Sequence, residues 1–142
     1  RKLCRLFFLI VAIAPTAAPA QVRSYFEMRE NFSADVNPFP KWTGMQGRYA
    51  AEMRLNDEDC GLSRFHPCEA KEWKKLTQRW NATPFREMIE AVNDFGNSHP
   101  YTPDTINWGI EDYWEAPYEF LSISGDCEDY AIIKYYSLRA AG

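Results

Sequence analysis

The sequence is short of the residues that interrupt or replace a packed core. Seven glycines and nine prolines in 142 residues exclude collagen-like and low-complexity classes. Positive charge is not in surplus: 16 Lys and Arg against 20 Asp and Glu give a formal net charge of −4. That leaves no electrostatic footprint for a nucleic acid. No run of about 18 apolar residues occurs, so no membrane span is expected in the mature chain. Histidine is scarce, with only His66 and His99. Aromatic bulk, by contrast, is abundant: five Trp, eight Tyr and nine Phe. This excludes disorder, and the length suits one domain with a core of its own.

The first twenty residues have a separate purpose. Arg1, Lys2 and Arg5 precede a short apolar run from Leu6 to Ala14, and Ala18-Pro19-Ala20 follows. A basic start, an apolar stretch and small residues at a cleavage point are the layout of a secretory signal peptide, here residues 1–20. Pro15 and Pro19 argue against a buried helix there. Cys4 leaves with the signal, so the mature chain from 21 to 142 keeps Cys60, Cys68 and Cys127. In an oxidising compartment Cys60 and Cys68 are expected to pair, since Gly61 and Pro67 let the segment turn back. Zinc would need two further ligands, and only His66 is near. Cys127 is left as the odd thiol, and an odd thiol in an exported protein points to chemistry.

The mature chain reads as a series of helices. Residues 21–41 form an extended lead-in. Trp42, Met45, Tyr49 and Met53 then recur at helical spacing, as do Ala70, Trp73, Leu76 and Trp80. Thr83 is the expected cap of a third helix, with Pro84 in its first position and Phe85, Met88, Ile89, Val92 and Phe95 as its apolar stripe. Residues 98–124, with three prolines and several aromatics, read as a long ordered connection, and such connections are usually functional. Both histidines read as surface residues. Beginning at Arg1 without Met and ending at Gly142 straight after a helical pattern, the chain is read as a fragment.

One stretch carries chemistry: Ser124-Gly125-Asp126-Cys127-Glu128-Asp129-Tyr130-Ala131. Asp126 fits a helix N-cap, with Asp129 three residues on where a capping box places its acid. Ala131, Ile132, Tyr135 and Leu138 are the expected buried face of the helix that follows, to about Arg139. Cys127 then falls in the first turn, where free backbone N–H groups favour a thiolate and can stabilise an oxyanion. Asp126, Glu128 and Asp129 place negative charge around that thiol and oppose its ionisation. Acids in a first turn are stabilising in themselves; the same oxygens also suit a hard cation such as Ca²⁺.

Asp112-Tyr113-Trp114, Pro117, Glu119-Phe120-Leu121, the Gly125–Ala131 core, Lys134-Tyr135, Leu138-Arg139 and Gly142 together resemble the bacterial transglutaminase-like cysteine proteinases, which are periplasmic proteases. The resemblance reaches back through Asn97 and Val92-Asn93 to the Trp42 helix. It implies an α+β, papain- and transglutaminase-like fold, of which this chain carries mainly the helical N-terminal part, the later strands lying beyond it. It implies Cys127 as the catalytic nucleophile, with a His and an Asp from those later strands, so that this piece alone is expected to be inactive. It implies Ca²⁺ held by Asp126 and Glu128, with Asp129 beside them. The implied substrate is a large cell-surface adhesin, cut to release a biofilm cell. The implied regulator is an inner-membrane cyclic-di-GMP receptor. Rival readings are a transglutaminase or a cell-wall amidase of the same fold, and a non-catalytic secreted domain that binds calcium or a partner.

Overall fold

The computed structural model describes residues 34–142; the expected signal peptide over 1–20 and the first part of the lead-in lie outside the described residues. Six α-helices follow in order: α1 (Pro40–Glu52), α2 (Cys68–Asn81), α3 (Phe85–Asn97), α4 (Asp104–Asn107), α5 (Pro117–Ile123) and α6 (Cys127–Ala141). A 3₁₀ turn, Asp57–Asp59, sits between α1 and α2. No strand occurs among the described residues, as befits the helical part of the expected fold.

The outer helices follow their sequence signals with local shifts. Pro40 occupies the first turn of α1, where its fixed φ and missing N–H cost nothing, so the lead-in ends there and not at residue 41. Helix α2 buries Ala70, Trp73, Thr77 and Trp80, a line at three- and four-residue steps. Helix α3 begins one residue later than expected. Thr83 does not cap it; its hydroxyl donates back to the Arg79 carbonyl at 3.2 Å and finishes α2. Met88, Val92 and Gly96 form the buried line of α3, while Phe85 and Ile89 of the expected stripe are exposed. The contact is centred on Gly96, because a Cβ there would lie 2.8 Å from Lys134 Cε. A larger residue there would push the flexible Lys134 chain aside, and with it the ammonium that reaches Asn93 and Asn97 at 2.9 and 2.7 Å.

The long connection is more ordered than its sequence suggested, for α4 and α5 both lie in it. The start of α5 has a local cause: Pro117 opens the helix, and the Glu119 carboxylate two residues on accepts the Ala116 N–H at 2.7 Å. Residues 117–121 are then buried in succession.

Helix α6 is the centre on which α2, α3 and α5 pack. Its buried face is Asp129, Ile132, Ile133, Tyr136, Ser137 and Ala141. This corrects the expected stripe, since Ala131 and Tyr135 are exposed. The register turned because two polar residues belong to the inner face. Ser137 accepts the indole N–H of buried Trp73 at 2.8 Å, and Asp129 is fully hydrogen-bonded. Tyr135 instead lies edge-on to Trp42, with ring centroids 5.4 Å apart. Asn81 ties the end of α2 to the Ala141 carbonyl at 2.7 Å.

Cys60 and Cys68 are disulfide-bonded, with Cα atoms 4.9 Å apart. The Gly61 N–H closes the same loop onto the His66 carbonyl at 2.7 Å. Closing so short a loop restricts the unfolded chain by about 2–3 kcal/mol. The Cys60→Ser/Cys68→Ser protein is therefore expected to lose about that much stability, read as a lower urea midpoint with an intact helical circular-dichroism spectrum.

Candidate active site

Cys127 is the first residue of α6, and its thiol is free and exposed. The three residues before it deliver it there, the first with an unusual backbone. Ser124, nearly buried, has φ 60° and ψ 170°, a region that non-glycine residues enter at a cost of about 1–3 kcal/mol. It is held by its N–H to the Phe120 carbonyl at 2.7 Å and by Asn107 Nδ2 donating to its own carbonyl at 2.6 Å. Gly125 must be glycine: a Cβ would come within 2.3 Å of Asp129 Oδ2. Asp126 is the extended N-cap.

Asp129 fixes this turn. It is fully buried, its Oδ2 accepts the Asp126 N–H at 3.0 Å, and its Oδ1 accepts the Glu115 N–H at 2.7 Å. The expected capping box of Asp126 and Asp129 is thus formed, while the second Asp126 oxygen, Oδ1, is buried without a partner.

That oxygen faces others. Asp104, the first residue of α4, is only 2% exposed. Its Oδ2 accepts the Tyr113 N–H at 2.5 Å, and its Oδ1 is buried and unpartnered. Asp104, Asp126 and Asp129 each offer a carboxylate oxygen within 4.8 Å of the others. Sequence spacing grouped Asp126, Glu128 and Asp129; the fold brings Asp104 into the tight cluster from 22 residues upstream. No local signal marks Asp104, because only the path of the connection carries it there. Glu128 stands at the cluster's edge, two residues after Asp126 and one before Asp129. It also lines a shallow apolar groove with Trp42, Trp114, Ala131, Ile132 and Tyr135.

So many acids in one place resist ionisation. Burial pushes Asp129 up to about 7, with Asp104 and Asp126 adding repulsion that its backbone donors only partly offset. Burial and the shared contact with Asp126 push Glu128 to about 7. Glu115, beneath them, is pushed to about 8 by burial and by the Asp129 charge. It keeps bonds from Trp108 Nε1 at 2.7 Å and Asn107 at 3.3 Å, and its Oε2 is unpartnered. Asp104 is raised as well, chiefly by burial. Buried carboxylate oxygens that lack donors and repel one another fit a hard, oxygen-seeking cation.

Neither histidine is the surface residue expected. His66 is buried and stacks on Tyr118, with centroids 6.0 Å apart and planes 5° from parallel. The two ring nitrogens of His99 contact the Phe95 carbonyl and Glu69 Oε1, each at 3.1 Å.

The model of the family described as bacterial transglutaminase-like cysteine proteinase, BTLCP, matches residues 58–142. The chain belongs to this family. Within the proteinase, the matched span takes in the disulfide, Asp104 and all of α6, while α1 lies before it. No curated protein and no solved structure matches the chain.

The raised acids make the proteinase's stability fall with pH. A carboxyl whose folded value lies above its unfolded one favours folding while protonated. That contribution is complete below the unfolded value of about 4 and is lost as pH climbs through the folded value. With Asp129 at about 7 and Glu115 and Glu52 at about 8, the decline runs from about pH 4 to about pH 8. Thermal melts in chelator should show Tm dropping across that window, and Glu115→Gln should flatten the drop.

Proposed function

We propose that the chain carries the nucleophile of a periplasmic, calcium-dependent cysteine endopeptidase that cuts a large cell-surface adhesin and so controls biofilm attachment. The observation that carries this reading is the exposed Cys127 thiol at the first position of α6, in a chain of the cysteine proteinase family. There the first-turn N–H groups lack intrahelical partners and are free for a substrate carbonyl. The Cys127 sulfur attacks a peptide carbonyl, an acyl-enzyme forms with loss of the amine, and water releases the acid. His66 and His99 are committed to other contacts, so the base in this reading is a histidine from the family's later strands.

Asp104, Asp126 and Asp129 would hold the Ca²⁺, with Glu128 beside them; the two unpartnered buried oxygens of Asp104 and Asp126 support this. When bound, the ion supplies positive charge that offsets the acids around the thiol. The adhesin substrate and an inner-membrane cyclic-di-GMP receptor as regulator rest on the family resemblance.

In the full-length protein, Cys127→Ala should abolish cleavage of an adhesin N-terminal segment, and excess EGTA should suppress it. Asp104→Asn should weaken calcium binding in calorimetry at least tenfold, about 1.4 kcal/mol. Full cleavage by Cys127→Ala would overturn the nucleophile, and unaltered cleavage in EGTA would overturn the calcium requirement.

A further inference from the structure

Residues 109–115 of the long connection make no backbone-to-backbone hydrogen bond among the described residues. Yet two of them hold the acidic cluster. The Tyr113 N–H donates to Asp104 Oδ2 at 2.5 Å, and the Glu115 N–H donates to Asp129 Oδ1 at 2.7 Å. The stretch is therefore held through side chains, and chief among them is a column of rings. Phe65 stacks on Trp108, with centroids 5.3 Å apart and planes 25° from parallel, and Trp108 lies against Tyr113 at 4.1 Å. A guanidinium closes each end: Arg64 lies over Phe65 at 5.0 Å, and Arg48 over Tyr113 at 4.6 Å. Trp108 also donates its indole N–H to Glu115 at 2.7 Å. Both residues that donate to the cluster thus rest on one indole. Phe65 and Arg64 reach it from the disulfide loop, which the Cys60–Cys68 bridge and the Gly61–His66 bond close. His66, the next residue, is buried against Tyr118 of α5 and anchors the loop there.

We propose that Phe65 is a positioning residue for the acidic cluster: seated on Trp108, it holds the stretch that places Asp104 opposite Asp126 and Asp129, and the disulfide loop thereby sets the cluster's affinity for calcium. This rests on the calcium reading of those acids given above. Asp104 has the Tyr113 N–H as its hold, whereas Asp129 has a second donor in Asp126 on its own helix. Asp104 is thus the oxygen donor whose place depends on the connection. Without the Phe65 ring, one face of Trp108 opens to water and the indole loses its stop on that side. Tyr113 and Glu115 are then free to shift with it. Ca²⁺ needs its oxygens at about 2.3–2.6 Å, so a small displacement of one carboxylate costs affinity. The same reasoning gives the disulfide a second task. It stands far from Cys127 in sequence, but it fixes the loop that supports the donors of the cluster.

The test is a calorimetric titration of calcium chloride into the chelator-treated full-length protein, as wild type, Phe65→Ala, Phe65→Tyr and Cys60→Ser/Cys68→Ser. Loss of the ring contact should weaken calcium binding about three- to tenfold in Phe65→Ala. The double serine protein should weaken in the same direction, and Phe65→Tyr, which keeps the ring, should bind as wild type does. Should Phe65→Ala fail to fold by circular dichroism, Phe65→Leu, which keeps apolar bulk without the ring, answers in its place by the same outcomes. Asn81→Ala is the control for stability alone: it removes the 2.7 Å bond to the Ala141 carbonyl, and should lower Tm while leaving calcium affinity unchanged. Wild-type affinity in Phe65→Ala would overturn the proposal, as would an equal loss of affinity in Asn81→Ala, which would mean that the cluster only follows overall stability. A wild-type protein that binds no calcium would overturn the calcium reading and this proposal with it; a wild type that binds, matched by Phe65→Ala, would overturn this one alone.

Discussion

The carboxylate of Asp129 is the constraint on which the site depends. One of its oxygens holds the N–H of the residue before the nucleophile, and the other holds the N–H of Glu115 at the entry to α5. A single buried side chain thereby joins the turn that presents Cys127, the connection that delivers Asp104 and the helix around which the core is built. Its packing also dictates the glycine at 125. Burying a carboxyl without a cation partner is costly. The fold meets that cost with two backbone donors and with a shift toward the neutral acid.

Another buried acid, Glu119, has a cation in place. Arg48 on α1 bonds Glu119 at 3.1 Å and the Trp114 carbonyl, and it lies over the Tyr113 ring 4.6 Å from its centre. Glu119 in turn caps α5 and accepts the Tyr113 hydroxyl at 3.1 Å. Here the guanidinium supplies the positive charge from within the chain. The Asp104–Asp126–Asp129 group has no Lys or Arg bonded to it among the described residues. The described residues thus contain a buried acid paired with its own arginine and an acidic cluster whose oxygens are left open.

What the sequence made legible was local. The disulfide followed from spacing and the expected export, and the start of α6 at Cys127 followed from Gly-Asp-Cys and the acid at Asp129. Helices α1 to α3 showed in their apolar periodicity, with errors of one or two residues at their starts. The rest depended on packing between distant segments. Tyr135 was misplaced because an apolar stripe leaves out Asp129 and Ser137, yet both are bonded inside. Helices α4 and α5 were missed because prolines that look like breakers in a row serve here as first residues or caps. His66 and His99 were misread because their partners, Tyr118 and Glu69, lie 52 and 30 residues away. Asp104 carries no motif, and it reaches the site only through the bonds that fasten the connection to α6.

The disulfide has a consequence separate from folding energy. The segment between Cys60 and Cys68 is the most open stretch of the molecule near α2, with Leu62 82% exposed. An exposed loop is where proteases cut. A break anywhere inside this ring leaves both new ends tethered through sulfur, while the Lys71–Glu58 and Lys74–Asp57 pairs at 2.7 and 2.5 Å still fasten the preceding turn to α2. The nicked chain keeps α1 covalently attached to the helices that carry the nucleophile, so damage at the surface does not become dissociation.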